Sequence, residues 1–474
     1  MCPTAERSRG GNNPRKIDVL EESLDLSVSA LQDDDQHRLD LKYTMIKKYE
    51  KSSADRNMSQ PLLVRTPATL LKTIQYMEEN IMDVDRHAVD SDDEEDDGNE
   101  SGLEDKEGRG PSKYHVHNFI WDRMRSIYGD FIVQNYRLGG RVDAYCVETH
   151  ERMARWHLMM EHHMQWNTES HHAGFDRQNS ERYISILKSL DEFYNMVHLL
   201  EDIDHTEPYN GTNRPFPIPN EGELRSYFIL YQMDNQGASD KYIKTLRPEV
   251  LDHPDMQFAL KVIQARRSEN YGKFFRLLRE CNYLQGCAMF RFVAPMRLHA
   301  LNVINKVMRP GKNEASFSVH DLQELLCFNN VNDVLEYLEY FEFNVTSQVS
   351  KDGEESYRVI LHGNPLEFQT DDDGKEIKPP LQFMRKYIEG KLGERDRCDV
   401  SRGLLSGAVN FEGDEGDVIY IDEDNELVEG GGVKENSRER APSIVETIRA
   451  KLKRGDNVSR YVILIIRCLM CDFT

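Results

Sequence analysis

The sequence predicts a mainly α-helical protein: an irregular helical-repeat solenoid that ends in a winged-helix module, with acidic segments that stay disordered. Three observations carry that expectation. Apolar residues recur at helical spacing in one segment after another between Leu39 and Met308, without a strict sequence period. Strand-type runs are confined to Phe343–Val349 and Tyr357–Leu361, directly behind two helical segments. The charge is segregated. Of a net −23, the tract Asp83–Glu107 holds 13 acidic and 2 basic residues, and Phe411–Glu429 holds 9 acidic and no basic ones. Such tracts have too little apolar surface to offset the entropy of ordering. The rest of the 474 residues, nearly neutral, is long enough for two or three domains and a sizeable core.

Taken in order, the first fifteen residues are rich in Gly, Asn, Pro and Arg and read as extended. A helix is expected over Leu39–Lys51, with Leu41, Met45, Ile46 and Tyr49 on one side, and a proline-broken connector over Gln60–Pro67. Thr66 then caps a helix with Pro67 in its first turn and Leu70, Leu71, Ile74 and Met77 along its stripe. Further amphipathic helices follow over Phe119–Val133, Arg137–Gln165 and Ser180–Leu200, the last carrying Tyr183, Leu187, Leu190, Tyr194 and Val197. Beyond a loop with four prolines, shorter helices are expected over Glu221–Met233, Asp255–Ser268, Tyr271–Cys281 and Cys287–Met308. Ser318 caps a short helix to Phe328, and Asn330 starts another through Phe341. Lys351-Asp352-Gly353 joins the two strand runs as a hairpin turn. Helix–helix–hairpin is the pattern of a winged helix. Beyond Pro365 the chain turns polar and acidic, with a helix expected only near Ile444–Lys453.

Several kinds of chemistry are disfavoured. No phosphate-binding glycine loop, nucleophile elbow or H-E-x-x-H zinc motif occurs. His162, His163, His171 and His172 form a cluster without a ligand framework around it, and Cys468 and Cys471 are a lone C-x-x-C, so no metal or cofactor is expected. The Asp122–Arg123–Arg125 cluster alternates with apolar residues on a helix, a pattern of solvated faces and internal ion pairs rather than catalysis. Tyr461–Cys471 is interrupted by Arg467 and is shorter than the ~20 residues a membrane helix requires. Scattered cysteines and no secretory signal suit a reducing interior.

The informative feature is basic. Lys241–Arg309 holds 13 basic against 5 acidic residues in an otherwise acidic chain. Lys261, Arg266, Arg267, Lys273, Arg276, Arg279, Arg297, Lys306 and Arg309 lie on or near the helices that lead into the winged helix, where they could neutralise phosphates. Tyr271 and Tyr283 are candidates for stacking on unpaired bases. The plainer reading is a solvated helix face or a surface for an acidic partner. Val345 and Tyr357, on the hairpin, are candidates for contact with a partner subunit.

Five blocks, in order, resemble the GANP / suppressor-of-actin (SAC-three) family. They are Met1-Cys2-Pro3 with Glu6-Arg7; Ile46-Lys47-Lys48-Tyr49-Glu50-Lys51-Ser52-Ser53-Ala54-Asp55; Arg65-Thr66-Pro67 with Leu70-Leu71-Lys72-Thr73; Phe119-Ile120-Trp121-Asp122-Arg123-Met124-Arg125-Ser126-Ile127 with Asp130-Phe131; and Asn270-Tyr271-Gly272-Lys273-Phe274-Phe275-Arg276-Leu277. The resemblance implies a PCI-type helical domain closed by a winged helix. It also implies a non-enzymatic scaffold of the nuclear TREX-two mRNA-export complex. Its implied partners are a second PCI subunit with a small acidic stabilising peptide, single-stranded RNA, nuclear pore components and centrin. The chain opens inside the first block, so a Phe-Gly nucleoporin-binding region is not expected ahead of it, and no long centrin-binding helix is evident. Centrosomal or splicing-associated relatives, or a PCI scaffold of the proteasome-lid or translation-factor type, are the alternatives.

The expected division is a motif region with the first helices at 1–82, an acidic insert at 83–112, the helical repeat at 113–310, the winged helix at 311–365 and a mostly disordered tail at 366–474. Replacing Asp83–Glu107 with a short Gly/Ser bridge is expected to leave the melting temperature nearly unchanged in a calorimetric scan, because ordering costs about 1–2 kcal/mol per residue and these residues bring little to offset it.

Overall fold

The computed structural model describes residues 18, 20–21, 45–50, 63–84, 111–136, 141–164, 175–201, 216–307, 316–349, 355–370, 376–380, 383–393 and 395–403. Its helices are α1 (Pro67–Asn80), α2 (Lys113–Val133), α3 (Ala144–His163), α4 (Phe175–Glu201), α5 (Glu221–Tyr231), α6 (Gln236–Ile243), α7 (Pro248–Leu251), α8 (Pro254–Arg267), α9 (Tyr271–Glu280), α10 (Tyr283–Phe290) and α11 (Val293–Val307). Then come β1 (Ser316–Ser318), α12 (Val319–Leu326), α13 (Val331–Tyr340), β2 (Asn344–Val349) and β3 (Glu355–Ile360), and finally α14 (Arg397–Arg402).

Most boundaries follow local chemistry. The Thr66 hydroxyl accepts from the Thr69 amide, Ser112 from His115 and Asp143 from Cys146, so each side chain satisfies a donor that an α-helix leaves orphaned at its start. The helix expected as Cys287–Met308 is two, α10 and α11. Pro295 lies in the first turn of α11; it has no amide to donate to the Arg291 carbonyl, and its ring crowds that carbonyl, so the chain bends there. Helices α6 and α7 add to the expected set; Asn235 caps the first and Pro248 opens the second.

Residues 45–50 are not helical, contrary to expectation. Their polar groups are taken by side chains from elsewhere. The Ile46 amide donates to Glu21, the Tyr49 amide to Asp122, and the Lys47 ammonium to Asp130 at 2.6 Å. Asp130 also accepts from Arg65 Nε at 2.8 Å, closing a buried node.

Helix α3 is the centre of the molecule. It packs against α1, α4, α10 and α14, and sixteen of its twenty residues are buried. Its charged side chains find partners on several elements: Arg152 on Glu78 of α1, Arg155 on Glu223 of α5 at 2.8 Å, and Glu151 on Tyr194 of α4 and Asn220, both at 2.7 Å.

β1 and β2 flank β3 in a three-stranded antiparallel sheet, with α12 and α13 between the first two strands in sequence, the element order of a winged helix. The register sets Val345 opposite Val359 and Ser347 opposite Tyr357. The hairpin turn at 350–354 lies outside the described residues.

The tail corrects the sequence reading. Composition predicts disorder for residues 383–403, yet Met384, Ile388 and Val400 are fully buried and α14 packs on α3 and α1. The Ser401 hydroxyl donates to Glu78 at 2.7 Å, and Glu389 accepts from His162 at 2.9 Å and from Arg397 at 3.2 Å. Few apolar residues suffice here because hydrogen bonds to the carboxylates of Glu78 and Glu389 hold the segment against the helices. The acidic insert beyond Val84, the helix expected near Ile444 and Cys468–Cys471 lie outside the described residues. Val84 itself is fully buried, so a deletion of the insert has to begin after it.

Burial holds His150 at about 4; burial, and then the charge of Arg182, hold His157 at about 3; and burial, followed by His157 and His163, places His117 well below the ordinary 6.5. The unfolded chain therefore takes up protons below pH 6.5 that the folded chain refuses. Stability from these groups is full above 6.5 and is lost as pH falls through the folded values. Glu151, pushed up to about 7 by burial, acts in the opposite sense over part of that window. Comparison of wild type with His150→Gln by urea unfolding between pH 6.5 and 4 isolates one histidine: the variant's dependence on pH is expected to be shallower by up to about 1.4 kcal/mol per pH unit.

Candidate nucleic-acid interface

Helix α9 buries Phe274, Phe275, Leu277 and Leu278 and so turns Lys273, Arg276, Arg279 and Glu280 away from the core. At 3.6 residues per turn, positions 273, 276 and 279 spread over about 120° of the helix circumference. The Lys273 ammonium donates to Gln264 Oε1 of α8 at 2.7 Å, which joins the two helices' outer faces. Lys261 projects from the same helix one turn before Gln264 and is exposed. Between α6 and α8 lies an open groove of about 410 Å³ lined by Ile243, Leu260, Ile263, Gln264, Arg267 and Ser268. Apolar walls rimmed by donors suit a planar base whose phosphates lie on neighbouring cations. The groove was illegible in sequence, since one of its walls comes from α6.

The nine basic candidates separate in the structure. Lys261, Arg276 and Lys306 are exposed, and among the described residues no carboxylate pairs with them. Arg266 sits 3.2 Å from Asp234, and Arg267 pairs with Asp240 at 2.6 Å while donating to Ser239. Arg279 is exposed but donates to the Glu324 carbonyl of α12, tying α9 to the winged helix. Arg309 lies outside the described residues.

Arg297 is a correction. It is 1% exposed, donates to the carbonyls of Leu326 at 3.1 Å and Cys327 at 2.6 Å, and lies 3.7 Å from the Phe328 ring centroid. Burial brings its guanidinium down to about 10, still charged at neutral pH. It neutralises the carbonyl end of α12 and cannot reach a phosphate. Tyr283 is likewise buried, with its hydroxyl on Glu389 at 3.1 Å, so it stacks on no base; Tyr271 is half-buried beside His299.

The winged helix presents the opposite charge. Asn332, Glu336 and Glu339 form the exposed face of α13, the helix that in this topology would enter a duplex groove. Carboxylates there oppose phosphate, so the exposed face of α13 is unsuited to a nucleic-acid backbone. The Asp122–Arg123–Arg125 cluster is structural. Arg123 bridges Asp122 at 2.6 Å and buried Glu21 at 3.2 Å, and Arg125 covers the Tyr49 ring. His162 donates to Glu389 between Phe290 and Phe383, and among the described residues no group of His, Cys, Asp and Glu could hold a metal. His171 and His172 lie outside them.

A helical stack closed by a winged helix, with basic and acidic faces set apart, defines a helical-repeat protein. The family model for the SAC3/GANP family matches residues 1–347, and the chain belongs to that family. It is 24% identical over 427 residues to SAC3 family protein 1 of Schizosaccharomyces pombe, covering 85% of this chain and 34% of that protein. It is 26% identical over 281 residues to SAC3 family protein B of Arabidopsis thaliana, covering 57% and 15%. It is 24% identical over 322 residues to the Drosophila melanogaster protein xmas, covering 67% and 13%. The chain therefore spans about a third or less of the length of these relatives. No described helix is long and apolar enough to cross a membrane.

The strand register also revises the partner surface. Val345 and Tyr357 share the face of fully buried Val359 and pack half-buried against the core, whereas Thr346 is exposed on the opposite face. Val345→Asp is expected to cost about 1–3 kcal/mol by placing a polar group against apolar neighbours. Thr346→Asp is expected to change stability by less than about 0.5 kcal/mol. Thermal unfolding of the two variants checks the assignment of faces.

Proposed function

We propose that this chain is a non-enzymatic scaffold subunit of a nuclear, transcription-coupled mRNA-export complex of the TREX-two type. In this reading the outer face of the winged-helix sheet and the acidic face of α13 meet a second PCI subunit, which brings its small acidic peptide. The α8–α9 face contacts single-stranded RNA. Family membership supports the scaffold role in mRNA export. Nuclear location, docking at the pore and recruitment of centrin belong to the same reading and rest on that membership alone.

The observation that carries the RNA contact is the cluster of Lys261, Lys273 and Arg276 beside the apolar groove of α6 and α8. Phosphates bound there release condensed counterions, which makes affinity fall steeply with salt. Such contacts position the strand without reading its sequence. Arg279 and Arg297 are left out of the test, since both hold the winged helix in place.

The Lys261→Glu, Lys273→Glu, Arg276→Glu triple variant, reconstituted with its PCI partner, is expected to bind unrelated single strands more weakly by similar factors. The slope of log affinity against log salt is expected to fall by about 2, roughly 0.7 for each phosphate no longer neutralised. Fluorescence anisotropy at several salt concentrations measures both. An unchanged affinity and slope in an intact complex would remove this face from the RNA surface and leave it to a protein partner.

A further inference from the structure

Far along the chain from the basic face, α2 and α4 flank an open pocket of about 280 Å³ lined by Trp121, Arg125, Gln178, Glu181, Arg182 and Ser185. Its volume is just under the ~300–1,000 Å³ usual for ligand pockets, so it suits a small group. Two guanidiniums meet there. Arg125 lies 3.8 Å from the Tyr49 ring centroid and 5.4 Å from that of Trp121, and Arg182 lies 5.1 Å from that of Tyr128. Among the described residues neither has a carboxylate partner. Asp122, the nearest in sequence to Arg125, is taken by Arg123 at 2.6 Å and by the Tyr49 amide at 3.1 Å. Glu181, in the lining itself, is paired with Arg177 at 3.2 Å.

Two donors at this pocket are buried without an acceptor: the indole Nε1 of Trp121 and Nε of Arg182. A buried donor left unmade is costly, and most in folded proteins find a partner. Burial, and then the charge of Arg125, lower the Arg182 guanidinium from its ordinary value, as expected of two like charges held together without a counterion. The Ser185 hydroxyl bonds to Tyr128 at 3.1 Å and not to either of these donors. The two guanidiniums and the Trp121 indole thus concentrate donors and positive charge at this lining, and its one carboxylate, Glu181, forms an exposed pair with Arg177. Planar guanidinium forks match the oxygens of a tetrahedral oxyanion, and an ammonium would not do so in the same way.

We propose that this pocket binds a phosphate group, held by Arg125 and Arg182 with the Trp121 indole as a further donor. The ligand is inorganic phosphate or a small phosphate monoester, and the site is independent of the RNA contact on α8 and α9. Titration calorimetry of the full chain with inorganic phosphate and with uridine 5′-monophosphate, against sodium chloride at matched ionic strength, tests it. Saturable heat is expected with phosphate-bearing ligands and not with chloride. Equal affinities would assign free phosphate, and tighter binding of the monophosphate would assign the ester.

Arg182→Gln is expected to weaken binding by roughly tenfold or more, as removal of a charge-assisted hydrogen bond does. Trp121→Phe is expected to abolish any change in tryptophan fluorescence on phosphate addition. Arg125→Gln also removes the stack on Tyr49, so Arg182→Gln, verified as folded by its thermal transition, carries the test if the former fails to fold. No saturable heat beyond the chloride control, or wild-type affinity in Arg182→Gln, would overturn the proposal.

Discussion

Helix α3 is buried on nearly every side and still carries Glu148, Glu151, Arg152, Arg155, His157 and His162. That combination constrains the rest of the fold. A charge removed from water needs a partner in good geometry, and leaving one unpaired destabilises by several kcal/mol. Polar partners for α3 arrive from several elements: Glu78 on α1, Glu223 on α5, Tyr194 and Asn179 on α4, and Glu389 in the C-terminal segment. Apolar contact alone would let these elements slide over one another. Ion pairs and hydrogen bonds with fixed directions do not, so the stack of helices has one register. The Asp130 node, with Lys47 and Arg65, applies the same logic to the segment ahead of α1.

The path from this core to the charged faces runs through α9, α11 and α12. Arg297 of α11 grips the last carbonyls of α12, and Arg279 of α9 grips the Glu324 carbonyl, so the winged helix is held against the helical repeat by backbone contacts. Its acidic α13 face and the basic α8–α9 face then keep fixed positions on the molecule. Two surfaces of opposite sign suit a scaffold that meets more than one partner, since like charge repels the wrong partner from each face.

Much of the fold was legible in the sequence because its signals are local. The apolar stripe of α4, the caps at Thr66, Ser318 and Asn330, and the alternation in β2 and β3 each lie within a few residues, and the structure keeps them. So do the blocks that mark the family. The basic run was legible as well, as a surplus of charge between Lys241 and Arg309. Which of those cations face water was not. Arg276 and Arg297 look alike in sequence, yet one is exposed and the other is buried against Phe328.

The sequence by itself determined the helical class, most element boundaries, the winged-helix order and the family, since propensity, capping and hydrophobic period act over one or two turns. Tertiary structure alone decided the burial of α3, the irregular course of residues 45–50, the packing of residues 383–393 and 395–403 and the inward face of Val345 and Tyr357. In each case the deciding interaction joins groups far apart in the chain. His162 and Glu389 are separated by 227 positions, and Ser401 and Glu78 by 323. A charge reads in sequence as solvated. Only the arrival of a distant partner makes its burial favourable, and no local pattern announces which partner will arrive.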